Sequence, residues 1–365
     1  MMRKLAKLEY VWLDGNEEKR IRSKTRYISI DFGDEDDPMP FDGVMQQIPQ
    51  WSFDGSSTNQ ADGSSSDLII KPIRFFGNPF SARQPNSISY IVLCEVFNPD
   101  DSPHESNMRA KLRENLNELE DPNDIWFGVE QEYVFMNSSS VSGWPEEGEP
   151  EAQGNYYCGI GGDVITNAHR QVVETHAHFC IQSGINLNGT NAEVMKSQWE
   201  YQIGPASAIS CADQLWVSRY ILDRLAEVRD MSISYDPKPV DGDWNGSGCH
   251  INFSNRFMRE HGGKDYIDYV CETLKENHDK HIKVYGIGTD KRLTGKHETA
   301  SIKDFTWEEL DRGSSIRIPS ATINNDYKGH LEDRRPSANI DPYEAFLAIV
   351  ESVSSVKQEA LAVSE

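Results

Sequence analysis

The chain has 365 residues, of which 37% are hydrophobic and 10% aromatic, and this suffices for one large or two unequal folded domains. Its formal net charge of −23 argues against nucleic acid and anionic membranes as partners, because both would repel such a surface. Neither a signal-peptide pattern nor a long apolar run occurs, so we expect a cytoplasmic protein. Six cysteines without a C-x-x-C pair fit a reducing compartment.

The first hundred residues predict a small β-rich domain. Clusters of Gly, Pro, Ser and Asp separate short runs of strand-forming residues, which are 27–30, 67–71 and 89–97. A turn-forming sequence at 98–101 ends this region. We therefore place a domain boundary near residue 100 and expect domains at 1–100 and 101–365.

The second region alternates helices and strands without a regular repeat, which favours an α+β domain over a doubly wound sheet. Ser102, followed by a proline and then Glu105, predicts the N-cap of a helix that ends near Glu120. The other predicted elements are helices at 163–183, 213–230 and 264–278, a last helix from 341, and strands at 125–136 and 248–254. The polar stretch 137–154 predicts a long loop.

The strand predicted at 125–136 carries two carboxylates on one face. A period of two puts Glu130 and Glu132 together, opposite Phe127 and Tyr133. On a strand that faces solvent such a pair is ordinary. In an interior, two carboxylates a few Å apart repel by about 4 kcal/mol at an effective dielectric of roughly 20, so a cation must lie between them. The apolar residues that crowd this strand favour the interior.

Three further acids are candidate ligands. Glu193 and Glu200 are seven residues apart, and their aromatic flanks predict two strands joined by a turn at 196–197. The same spacing would place both on one face of a helix, so by itself it is weak. Glu332 adds another acid, immediately before an Asp-Arg-Arg-Pro run.

The strand predicted at 248–254 adds an imidazole. Its polar face consists of His250, Asn252 and Ser254. A single histidine in such a strand is more often structural, and His250 becomes a candidate ligand only beside the carboxylates. Oxygen ligands with one imidazole suit Mg²⁺ or Mn²⁺ better than zinc or an iron–sulfur cluster.

A nearly neutral stretch at 283–335 complements these acids with ten Lys or Arg against nine Asp or Glu. Its guanidinium groups can bind carboxylate and phosphate oxygens through paired donors. The arginines concerned are Arg292, Arg312, Arg317, Arg334 and Arg335. Metals and arginines together are typical of phosphoryl transfer. No G-x-x-x-x-G-K-[ST] sequence occurs, so the nucleotide site is not a P-loop.

Together these motifs resemble the glutamine synthetase family, in its shorter, eukaryotic-type (type II) class, from Tyr10 to Tyr343. The matching segments, in family order, are 51–58, 126–133, 156–159, 189–194, 198–204, 245–250, 292–295, 297–299, 315–319 and 332–336. The resemblance implies an α+β protein. Its small N-terminal domain would be β-grasp-like, and its larger catalytic domain would hold an antiparallel sheet flanked by helices.

The resemblance also implies roles for individual residues. One metal set would be Glu132, Glu193 and Glu200, and the other Glu130, His250 and Glu332. Substrate-binding positions are Asn245, Gly246, Arg292, Arg312 and Arg334. Nucleotide-binding positions are Glu130, Glu200, Asn252, Ser254, Arg312, Arg317 and His330, with Arg312 and Arg317 facing phosphate. Asp54 and Tyr157 match the ammonium pocket, and Glu298 matches the flap that closes it.

The activity implied by the resemblance is the ATP-dependent joining of ammonia to the side-chain carboxylate of glutamate through a γ-glutamyl phosphate. Asp54 would attract ammonium and help to remove its proton, and Glu298 would exclude water from the intermediate. Arg317 would be nearly essential for the phosphoryl transfer. The family also implies a homo-oligomer, a decamer of two stacked five-membered rings with active sites shared between subunits.

Three residues depart from the family pattern, namely His330, Asp311 and Ser320, and they bear on nucleotide affinity and not on the reaction. Two other functions are open to the same residues. A ligase of this fold could join glutamate to a larger amine, and a non-catalytic scaffold could keep the ring without turnover. Asp54 and Glu298 favour ammonia, and the six metal-matching side chains argue against a scaffold.

Overall fold

The structure is a computed structural model that describes residues 3–32, 41–81, 87–138, 140–145, 147–150, 154–162 and 166–354. The chain divides into two compact units: the described residues of Met1–Lys111 and His178–Ile185 form the first, and those of Leu112–Ala177 and Asn186–Glu365 form the second. The predicted α+β class is confirmed. The domain limits 1–100 and 101–365 stay a prediction.

The first unit contains a five-stranded sheet in the order β2-β1-β5-β4-β3. Its elements are β1 (Arg3–Leu13), β2 (Ile21–Asp31), α1 (Phe41–Met45), β3 (Trp51–Asp54), a 3₁₀ turn (Gly55–Thr58), β4 (Asp67–Gly77) and β5 (Ser87–Phe97). β1 runs parallel to β5, and the other described pairs are antiparallel. Alternate residues Leu8, Tyr10 and Trp12 of β1 enter the core of this unit. The three strand segments predicted in this region all lie inside observed strands.

The second unit is built on a larger sheet in the order β12-β13-β14-β11-β6-β9-β8, with β7 and β10 also paired to β6. Its strands are β6 (Trp126–Asn137), β7 (Ser140–Val141), β8 (Leu187–Ala192), β9 (Gln198–Ser207), β10 (Ser232–Ser234), β11 (Cys249–Ser254), β12 (Trp307–Glu309), β13 (Ile316–Ile318) and β14 (Leu331–Asp333). Among these described pairs only β12 and β13 are parallel. β7 interrupts the predicted loop 137–154, part of which lies outside the described residues.

The remaining helices are α2 (Met108–Asn117), α3 (Asn167–Gln182), α4 (Ala208–Glu227), α5 (Arg256–Glu260), α6 (Lys264–Glu276), α7 (His278–Ile282), α8 (Thr289–Arg292), α9 (Ser320–Ile323) and α10 (Pro342–Ser354). In the second unit, α4 packs on β6 and β9, and α10 packs on α4 and α6. No helix in the described part of the chain is long and apolar enough to span a membrane.

The predicted start of α2 at Ser102 is wrong. Asn107 is the cap, because its Oδ1 accepts a hydrogen bond of 3.1 Å from the backbone nitrogen of Ala110. Ser102 instead donates to Asp100 in a turn, and Pro103 forms a β-bridge with Phe97. The connection that follows β5 thus extends past Ser102, and the helix begins only after Asn107.

Candidate active site

Two carboxylates of β6 point away from the apolar core of the second unit. Glu130 and Glu132 alternate with Phe127, Val129 and Tyr133, all three of which are buried. The strand and its period of two were predicted from the sequence and are confirmed. The neighbouring strands β9 and β11 determine what these two carboxylates face.

The acid triad consists of Glu132, Glu193 and Glu200. Glu132 and Glu200 are register partners on β6 and β9, and Glu193 follows the end of β8. One oxygen from each carboxylate lies within 4.8 Å of the others. The turn predicted at 196–197, between β8 and β9, is present, and Ser197 in this turn has a φ of 73°. The hairpin β8–β9 therefore brings Glu193 back to Glu200.

Burial gives the acid triad an unusual protonation. It raises the pKa of Glu193 to about 8, with a further contribution from Glu132. Burial and then the neighbouring carboxylates raise the pKa of Glu200 to about 9. The pKa of Glu132 is also raised by burial, although Arg292 opposes the shift. Without a cation the triad therefore holds protons near neutral pH.

Backbone and amide donors orient the triad. Gly248 N donates to Glu132 Oε2 over 2.6 Å, and Gln198 Nε2 donates to the same oxygen over 3.1 Å. Gln198 Nε2 also lies 3.0 Å from Gly246 O. No role for Gln198 was predicted, since nothing local in the sequence indicates that its amide reaches the loop at 246–248.

The histidine group consists of Glu130, His250 and Glu332. His250 and Glu130 are register partners on β11 and β6. His250 Nδ1 lies 3.5 Å from Glu130 Oε2 and 3.4 Å from Glu332 Oε1, and one ligand atom from each residue fits within 4.8 Å. Burial, followed by Arg334, lowers the pKa of His250 well below its ordinary value. The imidazole is therefore neutral, as a metal ligand must be.

Two arginines bind the two oxygens of Glu332. Arg317 Nη1 donates to Oε2 over 2.7 Å, and Arg334 Nη1 donates to Oε1 over 2.6 Å. Arg317 and Glu332 are register partners on β13 and β14. Arg317 Nε is buried and has no hydrogen-bond partner among the described residues. Arg317 thus keeps a donor available for an anion.

The loop that precedes β11 brings its backbone close to these side chains. A Cβ on Gly248 would lie 2.5 Å from Arg292 Nη2 and 2.9 Å from His250 Nε2, so any larger residue would displace one of these two buried side chains. A Cβ on Gly246 would lie 2.4 Å from Pro237 O. Asn245 precedes this close approach. Of the predicted substrate residues, Gly246 is connected to the acid triad through Gln198, which donates to both Gly246 O and Glu132 Oε2, and Asn245 precedes it in the same loop.

Arg292 and Arg312 differ in their surroundings. Arg292 is only 6% exposed, its Nη1 donates to the backbone carbonyls of Arg334 and Arg335, and its Nη2 lies 2.9 Å from His250 Nε2. Arg312 has an exposed side chain, and its carbonyl accepts a hydrogen bond from Arg334 Nε. Arg292 therefore supports the site from inside, and Arg312 reaches solvent.

Three of the predicted nucleotide residues, Asn252, Ser254 and His330, lie on or beside the second half of β11, because Leu331, next to His330, is the register partner of Phe253. Asn252 Nδ2 donates to Glu130 Oε1 over 2.9 Å. Half-buried His330 precedes β14, and burial lowers its pKa. Arg259 Nη1 donates to Ser254 Oγ, and its guanidinium lies 4.0 Å from the ring centre of Trp126. This Arg259–Trp126 pair was not predicted, because no local sequence pattern connects two residues so far apart in the chain.

Arg335 does not share the role predicted for the other arginines. It is 1% exposed, and its Nε and Nη2 both donate to the Asp333 carboxylate. Its other donors lie 3.0 Å from His278 Nδ1 and His281 Nδ1. The expectation that it binds an anionic substrate is wrong, because every described donor is used inside the core.

Two of the residues that depart from the family pattern have local structural roles. Asp311 Oδ1 accepts a hydrogen bond from Gly313 N over 2.8 Å, which fixes a turn. Ser320 is exposed and begins α9.

Asp54 belongs to the first unit, whereas the acid triad and the histidine group belong to the second. Its exposed carboxylate accepts hydrogen bonds from Ser56 N, Ser56 Oγ and Ser57 Oγ over 3.0, 2.7 and 2.8 Å. The Ser56 and Ser57 hydroxyls lower the pKa of Asp54 to about 2. Asp54 therefore carries a permanent negative charge at the end of β3.

Tyr157 and Glu298 are both exposed residues of the second unit. Burial, and then the charges of Cys158 and Glu193, raises the pKa of the Tyr157 hydroxyl. Glu298 has a left-handed backbone with a φ of 59°, and its neighbour His297 has a φ of 54°. Two successive residues other than glycine with left-handed backbone conformations are uncommon. Such backbone outliers cluster at functional sites and in switch regions.

The family model and the relatives that match this chain all carry the same description. The family model described as glutamine synthetase, catalytic domain, matches residues 105–264. The chain is similar to the glutamine synthetase of Yarrowia lipolytica, with 47% identity over 337 residues, 92% of this chain and 87% of the relative. It is 44% identical to the glutamine synthetase of Candida glabrata over 96% of this chain and 90% of the relative. The chloroplastic glutamine synthetase of Chlamydomonas reinhardtii is 43% identical over 94% of this chain and 90% of the relative.

Proposed function

The chain belongs to the glutamine synthetase family, and from that premise we propose how its side chains carry out the reaction. It is a glutamate–ammonia ligase, an enzyme that uses ATP and divalent metal ions. The assignment of residues rests on one observation above all. The acid triad and the histidine group are two three-ligand groups on neighbouring strands, and arginines bind one of them directly.

We propose that each group holds one Mg²⁺ or Mn²⁺ ion. Five carboxylates and one imidazole form the donor set that these ions prefer. His250 Nδ1 is a buried nitrogen without a hydrogen-bond partner in the described structure, and it points at Glu130 and Glu332. Bound ions would supply Lewis-acid stabilisation of the charged phosphate and carboxylate oxygens.

In the first step a γ-carboxylate oxygen of glutamate attacks the γ-phosphorus of ATP. The bond from this phosphorus to the β–γ bridging oxygen breaks, so ADP leaves and γ-glutamyl phosphate forms. We assign Arg317 to stabilising the transferring group, and its Nε, which has no hydrogen-bond partner among the described residues, supports this role. Exposed Arg312 would bind phosphate beside it.

The remaining substrate residues would orient glutamate and the nucleotide. The loop before β11, the strand of His250, contains Asn245 and Gly246. Arg334 follows β14 and donates to Glu332, and the guanidinium of Arg292 contacts His250 Nε2. Asn252, Ser254 and His330 would lie beside the nucleotide, close to Glu130.

In the second step ammonium first releases a proton to solvent, and the resulting ammonia attacks the acyl carbon. The carbon–oxygen bond to phosphate breaks, phosphate leaves with that oxygen, and the nitrogen gives its extra proton to the leaving phosphate. We propose that Asp54 and Tyr157 draw ammonium to the intermediate. A carboxylate with a pKa of about 2 attracts the cation well but is a poor acceptor for its proton. Its environment therefore supports attraction more than deprotonation. The exposed Glu298 would close over the intermediate and exclude water.

We further propose a decamer of two stacked five-membered rings, in which Asp54 of one subunit completes the site of its neighbour. The exposed position of Asp54, in a unit that contains none of the six candidate ligands, supports a role at a subunit boundary. A heterologous, head-to-tail contact closes into a ring of five when successive subunits are related by one fifth of a full rotation.

A cytoplasmic location is also proposed. All six cysteines are free thiols, which fits a reducing compartment. A related enzyme is chloroplastic, so the family is not confined to the cytoplasm. Imaging of the fluorescently tagged full chain tests the proposal, and an organellar signal would reject it.

The choice of amine is tested by measuring phosphate release and amide product with ATP, glutamate, Mg²⁺ and a panel of amines. We expect ammonium to give one phosphate per glutamine, and larger alkylamines to give no amide product. Glu132→Gln serves as the inactive control. Faster product formation with a larger amine than with ammonium would instead assign the chain to ligation of that amine.

A further inference from the structure

A buried arginine lies on the face of the large sheet opposite to the acid triad and the histidine group. Arg219 is on α4 and is 2% exposed. Its Nε and Nη2 donate to Gln131 Oε1 over 2.9 and 2.6 Å. Its Nη1 donates to Ile340 O over 2.8 Å, and its Nη2 also donates to Ala338 O over 3.0 Å. All four hydrogen bonds end on neutral oxygens.

Gln131 joins this arginine to the strand that carries two candidate ligands. It lies between Glu130 and Glu132 on β6 and faces the opposite side of the sheet, where it is fully buried. Its Nε2 donates to Glu132 O over 2.7 Å and to Ala338 O over 3.0 Å. Gln131 therefore fixes the backbone of Glu132 and the segment after β14 at the same time.

The same contacts extend to the strand of His250. Cys249 is the register partner of Gln131, and burial raises the pKa of its thiol to about 12, although the charge of Arg219 opposes the shift. Cys249 N donates to Pro336 O, and Ala338 N donates to Ser247 O, both over 3.0 Å. The guanidinium thus lies where β6, β11 and the segment following β14 meet.

We propose that Arg219, together with Gln131, is a positioning residue of the metal site. From the far face of the sheet it fixes the mutual spacing of the strands that carry Glu130, Glu132, His250 and Glu332. The inference rests on the proposed metal-binding role of those four residues, and it adds a residue to which neither the sequence motifs nor the family resemblance gave a role.

The chemistry of the side chain supports a positioning role over one in stability alone. Asp223, on the same helix, interacts electrostatically with Arg219, but burial raises its pKa to about 7 and none of the four hydrogen bonds ends on it. Burying a guanidinium whose hydrogen bonds end on neutral oxygens is unfavourable compared with burying an apolar residue of similar size. Only arginine, however, offers planar donors that can bind three separate acceptors at fixed angles. The rings of Trp216 and Tyr235, 4.6 and 5.3 Å from the guanidinium carbon, hold that plane in place.

The test uses variants that keep the charge of the protein unchanged. A change in Mn²⁺ affinity then reflects displaced metal ligands and not a lost positive charge. Arg219→Lys keeps the positive charge and loses the planar donors. Gln131→Met keeps the side-chain size and loses both the acceptor and the donor. Arg224→Lys, on the same helix but partly exposed and paired with Glu227, is the matched control. Mn²⁺ binding to the metal-free full chain is measured by electron paramagnetic resonance, alongside thermal unfolding and activity as a function of Mn²⁺ concentration.

We expect Arg219→Lys and Gln131→Met to fold and to raise the dissociation constant for Mn²⁺ by about 10- to 100-fold, the usual effect of losing a group that orients metal ligands. Activity should return at saturating Mn²⁺, and Arg224→Lys should bind like the wild type. Folded variants with wild-type Mn²⁺ affinity would overturn the proposal, and so would failure of both variants to fold. If the wild type itself binds no Mn²⁺, the proposed function fails and not the positioning alone.

Discussion

Glu132 and Glu200 lie directly opposite each other on antiparallel strands, and both carboxylates are buried. Like charges in such a pair destabilise a sheet. Burial and three neighbouring acids raise the pKa of Glu200 to about 9, so in the absence of metal a proton takes the place of the cation. The metal-free protein should therefore respond to pH through these two strands.

The metal-free protein should lose stability as the pH rises. Glu193 and Glu200 have folded-state pKa values of about 8 and 9, against an ordinary value of 4.5. Between pH 4.5 and these folded-state values, the native state therefore binds more protons than the unfolded state. Their contribution is complete below pH 4.5 and is lost as the pH passes 8 and 9. Urea unfolding in the presence of a chelator, at several pH values in this window, measures the slope.

Glu200→Gln should flatten that dependence, because it removes the group with the higher pKa. Glu308→Gln, at an exposed position of β12, is the control and should unfold like the wild type. An unchanged slope in Glu200→Gln would show that Glu200 does not hold the proton.

Arg317→Ala should reduce kcat by about 10³-fold or more, because we propose that its guanidinium stabilises the transferring phosphoryl group. Mn²⁺ affinity should not fall, since the substitution removes a cation that competes for Glu332. Arg256→Ala removes an arginine whose ion pair with Asp121 is exposed and should be nearly neutral. A loss of kcat in Arg317→Ala no larger than that in Arg256→Ala would contradict the assignment.

Asp54→Ala should impair glutamine formation from ammonium far more than hydroxamate formation from hydroxylamine. Hydroxylamine is already a neutral nucleophile near neutral pH and does not need a charge to attract it. Asp100→Ala is a matched control, since Asp100 is an exposed carboxylate whose pKa Ser102 lowers in the same way. An equal loss with both nucleophiles would indicate that Asp54 shapes the fold of its loop.

Mixing two inactive variants tests whether subunits share their sites. Asp54→Ala and Glu332→Ala, refolded together in equal amounts, should recover about a quarter of the wild-type sites, because each interface has one productive arrangement in four. Each variant refolded alone is the control. Activity of the mixture that stays at the level of the separate variants would place both residues in one chain's own site.

The sequence was sufficient to predict the parts of the site that obey local periodicity. The alternation of β6 predicts Glu130 and Glu132 on one face, and the turn before Gln198 predicts the return of the chain towards Glu200. Register and distant hydrogen bonds were not predictable, because they depend on pairing between strands. The contact of Gln198 with Glu132 spans 66 positions in sequence.

The short strand β14 explains the wrong prediction for Arg335. β14 has only three residues, too few for alternation to be recognised, so the opposite directions of Glu332 and Asp333 could not be read from the sequence. Arg335 was for this reason grouped with Arg334, although it binds Asp333 on the core side.

At α2, Ser102 and Asn107 are both acceptable caps, and only the extension of the preceding strand selects Asn107.

The two-ion site is tested most directly by counting Mn²⁺ bound per chain in the absence of nucleotide, by electron paramagnetic resonance. We expect two ions in the wild type, one for each three-ligand group. Glu193→Gln and Glu332→Gln should each retain only one, and the double variant none. Wild-type protein that binds fewer than two ions, or single variants that both keep two, would contradict the assignment of these side chains as metal ligands.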